Sequence, residues 1–130
     1  MTTGQIVLAI VLFDLLFVVP VLIFGLITGF WKPLEHAHPS VEAAEDAVGR
    51  NFQSMKIDML NLGYCVHLKV DATYLHIEPT LLLRLVRAQR MSVPWDALSL
   101  KKHGKRMSKV KLGTHTLVLP RWAAEMALPD

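Results

Sequence analysis

Residues 6–30 read IVLAIVLFDLLFVVPVLIFGLITGF, twenty-five positions in which Asp14 is the only charge. A helix rising ~1.5 Å per residue carries such a run about 37 Å, enough to cross the ~30 Å hydrocarbon core of a bilayer. A cleaved leader is the competing reading. Against it, residues 1–5 hold no Lys or Arg, the run far exceeds the usual ~7–15 apolar residues, and no small-x-small motif follows. The reading is therefore a single-pass anchor over residues 1–31, closed by Trp31 and Lys32 as aromatic and cationic interface anchors. Lys32 and Arg50 follow the span and no basic side chain precedes it, so the positive-inside rule predicts a cytoplasmic C-terminal domain.

At about 100° per residue, Asp14, Val18, Val21, Gly25 and Thr28 fall on one narrow face of this helix. An ionised carboxylate costs at least ~2.5 kcal/mol in hydrocarbon, so Asp14 needs protein, water or a proton, or must snorkel to the near interface. Gly25 and Gly29 form a G-x-x-x-G spacing, which lets helix backbones approach closely and also fits self-association. Pro20 lies between them, frees a carbonyl and predicts a kink. The face predicts packing against other integral membrane helices.

Working outward, residues 32–49 form a juxtamembrane linker. Pro33 and Pro39 break regular structure, and Ser40 is placed to cap a short helix ending near Gly49. Glu35, His36 and His38 offer too few convergent ligands for a metal site. Residues 50–130 change to short alternating runs with turn signals, the pattern of a small, mainly β domain. Residues 52–59 alternate, with Met55, Ile57 and Met59 on one side, and Asn61, Leu62 and Gly63 read as the following turn. Tyr64, Val66, Leu68 and Val70 alternate next, and Asp71-Ala72 turns the chain into a strand over 73–78. Residues 81–90 fit either a helix or a strand; Arg84, Arg87 and Arg90 would line up only on the helix. Strands are expected from near Leu98, over 107–112 and over 114–119, with a hairpin tip at His103, Gly104 and Lys105. Pro120 opens a short terminal helix over 121–128.

The stretch LGYCVHLKVDATYLHIEPTLLLRLVRAQRMSVPWDALSL, residues 62–100, resembles uncharacterised bacterial single-pass membrane proteins with a pleckstrin-homology-like domain. The residues that carry the resemblance are Tyr64 to Leu68, Tyr74 to Ile77, and the Pro-Trp corner from Val93 to Leu98. It implies a small β barrel or sandwich with a closing C-terminal helix, and it brings no catalytic residues or cofactor.

Charge is uneven along the chain. Residues 1–49 carry one basic and five acidic side chains, and residues 50–130 carry thirteen basic and six acidic ones. A basic domain tethered to a bilayer suits anionic headgroups or an acidic protein face. Lys101, Lys102, Lys105, Arg106, Lys109 and Lys111 form its densest segment. It reads as a blunted edge hairpin, a lipid contact or a protein-docking surface; nucleic acid is disfavoured because no aromatics interleave for stacking. Cys65 is the only cysteine, so no intrachain disulfide forms. Cys65 and His67 share a strand face without a third orienting group, the histidines follow no zinc spacing, and no phosphate or dinucleotide fingerprint is present. The expectation is a non-enzymatic accessory subunit of a bacterial inner-membrane protein complex, without cofactor or metal. The alternative is a membrane-tethered module that binds anionic lipid headgroups.

Overall fold

The computed structural model describes residues 2–128. The anchor forms α1, Thr3–Ala37, and its start is a capping box: the Thr2 hydroxyl accepts from the Gln5 N–H at 3.2 Å, and the Gln5 side chain accepts from the Thr2 N–H at 3.0 Å. The helix runs on through Pro20 and Pro33 and ends before Pro39. It thus ends six residues beyond the expected anchor. Pro33 does not break it, because Trp31 and Leu34 on either side are buried and hold the last turns in place.

Seven strands follow in one antiparallel sheet that curls into a half-barrel: β1 Val48–Ile57, β2 Leu60–Val70, β3 Tyr74–Pro79, β4 Met91–Pro94, β5 Leu98–His103, β6 Met107–Leu112 and β7 His115–Pro120. Their order across the sheet is β4-β3-β2-β1-β7-β6-β5. The curl passes through β1, which pairs with β2 along its length but with β7 only at Lys56 and Ile57. The inner face buries Met55, Ile57, Val66, Leu68, Leu75, Ile77, Val93, Val110, Leu117 and Leu119. A short helix over Arg121–Ala127 adds Ala123 and Ala124 to that interior. Each such aliphatic side chain contributes about 1.5–3 kcal/mol, which is how a domain this small holds together without a disulfide.

The expected strands over 107–112 and 114–119, the hairpin tip and the terminal helix all match within a residue. Other expectations need correction. The β1–β2 turn falls at Asp58 and Met59, and Asn61, Leu62 and Gly63 lie inside β2. Tyr64 does not join the buried row of Val66, Leu68 and Val70; it takes φ 56° at an irregular step of the ladder and is exposed. The irregular step turns Tyr64 outward between the buried Leu62 and Val66, a break that strict alternation does not anticipate. Residues 81–90 resolve as a short helix, α2 (Leu81–Arg84), one further turn, and a left-handed residue, Arg87, at φ 66°. No helix forms over 40–48. The segment after α1 is instead an extended strap: Pro39 bridges to Met91, and the Ser92 N–H donates to the His38 carbonyl at 3.2 Å. The strap covers edge strand β4, while β5, the other edge, carries exposed Lys101 and Lys102.

Candidate functional site

The last third of α1 is welded to the β domain. Ile27, Trp31 and Leu34, spaced four and three apart, make one buried stripe. The Trp31 indole Nε1–H donates to the Gln89 carbonyl at 3.0 Å, and Glu35 Oε1 accepts the Gln89 N–H at 2.6 Å. Lys32 Nζ closes the cluster, 3.0 Å from Glu35 Oε2 and hydrogen-bonded to the Arg87 carbonyl. Two neighbouring turns of helix thus hold the backbone of residues 87–89. The Trp31 ring is fully buried against the domain. Lys32 likewise serves the junction. Glu35, with both oxygens engaged, is not part of a metal cradle with His36 and His38.

A second polar tie holds the strap. His76 Nε2–H donates to Asp71 Oδ2 at 2.7 Å, and the Ser92 hydroxyl meets His76 Nδ1 at 2.8 Å. The strap closes on both ends of this chain: the Val41 N–H donates to Ser92 Oγ at 2.9 Å, and the Ala44 N–H donates to Asp71 Oδ2 at 3.1 Å. Asp71 Oδ1 also accepts from the N–H groups of Thr73 and Tyr74. Burial alone would raise the Asp71 pKa, but the His76 hydrogen bond and the N–H donors of Tyr74, Ala44 and Thr73 outweigh it and hold the carboxyl well below the usual range. An Asp-His-Ser chain resembles a nucleophile relay, yet Ser92 is 3% exposed and already bonded to Val41, so the hydroxyl acts here as a tie. In the sequence Asp71 reads only as a turn residue, and His76 carries no role. Their spacing carries no signal, since Ser92 joins them only through strand pairing.

Among the remaining candidates, Cys65 and His67 do not combine. The Cys65 thiol donates to the Gly63 carbonyl at 3.2 Å and burial pushes its pKa up, the opposite of an activated nucleophile. His67 Nδ1 accepts the Phe52 N–H at 3.1 Å. No family model, curated protein or solved structure matches this chain. The site must be read from its own geometry.

Asp14, Val18, Val21, Gly25, Thr28 and Gly29, the residues expected to pack against other helices, are all exposed. A Cβ added at Gly25 or Gly29 would meet nothing within 4 Å. At about 100° per residue, this face lies roughly 150° around the helix from the stripe buried under the domain. Residues 4–26 are exposed throughout, about 34 Å of helix, and Asp14 sits near the middle of them. Among the described residues nothing bonds to its carboxylate.

The basic residues gather on the β5–β6 hairpin. Lys102 and Lys109 are direct cross-strand partners, Lys101 occupies the irregular step beside them, and Lys105 and Arg106 form the tip. All five are exposed, whereas Lys111 is half-buried opposite Ser99. Arg121 steadies the tip by donating to the Gly104 carbonyl at 2.9 Å. Like charges directly opposite each other destabilise a ladder, so the Lys102–Lys109 pair weakens this hairpin.

Proposed function

We propose that this chain is a non-catalytic accessory subunit of a bacterial membrane protein complex, anchored by α1 in the inner membrane with its β domain on the cytoplasmic side. The observation that carries the reading is Asp14: a carboxylate near the middle of the exposed run of α1, on a face turned away from the domain, with open space beside Gly25 and Gly29 further along the helix. A charge at the centre of a membrane helix costs about 2.5–3.5 kcal/mol, and a polar partner on a neighbouring helix offsets that cost. The resemblance to pleckstrin-homology-like domains agrees with a curled seven-strand sheet closed by a short helix. It points to a docking module, with no cofactor and no nucleic acid.

Purification from native membranes in mild detergent, followed by mass spectrometry, tests the proposal. A stoichiometric set of integral membrane proteins is expected with the natural chain and lost with the Asp14→Leu/Gly25→Leu variant. Unchanged co-purification in the double variant would sink it.

The facing Lys102 and Lys109 favour a second reading, in which the hairpin rests on anionic headgroups. In proteoliposomes of the full chain, the hairpin lysines should then resist amine-reactive labelling on anionic lipid, and high salt should remove the protection. Equal labelling on neutral and anionic lipid would remove this reading.

A further inference from the structure

Leu81, Leu82 and Leu85 of the α2 turn are 65–73% exposed, while Leu83 between them is buried. Met59, at the tip of the β1–β2 turn, is 88% exposed. A soluble domain gains nothing from four large apolar side chains held in water. Their position accounts for them. Leu82 and Leu85 share an apolar cleft of about 440 Å³ with Pro20, Ile23 and Leu26 of α1, and Leu60, next to Met59, lines the same cleft. Pro20, Ile23 and Leu26 belong to the exposed apolar run of the helix. The leucines therefore sit beside the span and not beyond it. From Leu26 back to Pro20 is about 9 Å of helix, the ~5–10 Å depth to which interfacial helices bury an apolar face. Arg84, Arg87 and Arg90 lie on the same segment, all exposed; Arg84 donates to Glu78 at 2.9 Å, and Arg84, Arg90 and Lys32 line one polar hollow.

We propose that α2 is a membrane-inserting foot. Leu81, Leu82, Leu85 and Met59 lie in the acyl layer of the leaflet next to α1, phospholipid chains fill the cleft, and Arg84, Arg87 and Arg90 sit at the level of the phosphates. The proposal rests on α1 spanning the bilayer and is independent of any partner on the Asp14 face. It makes the β domain a body seated in the bilayer surface.

The test places single cysteines in the full-length Cys65→Ser chain at Leu82, at Leu85, at Leu16 within the span and at Ser99 on β5. Each is labelled with an environment-sensitive fluorophore and reconstituted in liposomes of zwitterionic phospholipid. Labels at 82 and 85 should shift to the blue, lose most of their emission to shallow nitroxide lipids and ignore aqueous iodide; the label at 99 should do the reverse. If 82 and 85 behave like 99 while 16 is quenched by lipid, the foot is overturned and the span stands. If 16 also behaves like 99, the span itself falls and the proposal with it. Labels at 82 and 85 shielded from both quenchers would mean that a second copy covers the surface, which also overturns the proposal.

Discussion

Trp31 and Asp71 show what single residues contribute that their neighbours in sequence do not reveal. A tryptophan at the end of an apolar run reads as an interface anchor, yet its hydrogen-bond partner, Gln89, lies 58 residues further on. No local pattern encodes that contact. Removing a buried Trp typically costs about 3–5 kcal/mol, so Trp31→Ala should lower the unfolding free energy of the full chain in detergent by that order, and Trp31→Phe by less. Asp71 carries a pH prediction. A carboxyl held charged more firmly in the folded than in the unfolded chain contributes fully above the unfolded pKa of ~3.9, and the contribution is lost as pH falls below that. The Trp95 Nε1–H donates to the Asp71 carbonyl at 3.0 Å, so tryptophan emission follows this region. Acid titration should show a loss of structure below about pH 4. Asp71→Asn should be less stable at neutral pH and should flatten that acid limb; an unchanged limb would count against the role given to this carboxylate.

Elements were far more legible than their joints. Six of the seven strands and the terminal helix follow from alternation and turn residues because each buries one face, and burial imposes the period; β4 reads in the sequence only as the approach to the Pro-Trp corner. The misplaced β1–β2 turn has a physical cause. Asp58 turns the chain with φ 52°, while its Oδ1 and Oδ2 accept from the Thr116 N–H and meet the His115 ring, 57 and 58 residues away. The Asn-Leu-Gly sequence three residues later was the louder signal and lost to that tertiary tie. The β5–β6 hairpin offers an element-level test. A Cβ at Gly104 would lie 2.6 Å from the Met107 carbonyl oxygen, so Gly104→Ala should destabilise the chain by about 1–3 kcal/mol in thermal unfolding. Lys102→Glu should instead raise stability by about 0.2–1 kcal/mol by pairing with Lys109.

At the scale of the whole molecule, anchor and domain are one unit. In the sequence, Pro33, Pro39 and a run of polar residues mark a juxtamembrane linker with a possible short helix between them. The buried stripe of α1 and the strap close that gap instead. A fragment starting at residue 48 would lose Trp31 and Leu34 from its core and uncover Met91 and Ala88. Set against a typical total stability of about 5–15 kcal/mol, this loss should leave the fragment marginal, with a much lower midpoint than the full chain and a tendency to aggregate. The same junction bears on how the protein is made. Synthesis proceeds at roughly 5–20 residues per second, so several seconds separate the emergence of Trp31 from that of Gln89. During that interval Ile27, Trp31 and Leu34 have no fold to enter. The end of the helix is therefore buried only after residues 87–94 have been made, so the contact nearest the start of the domain is one the growing chain can close only late.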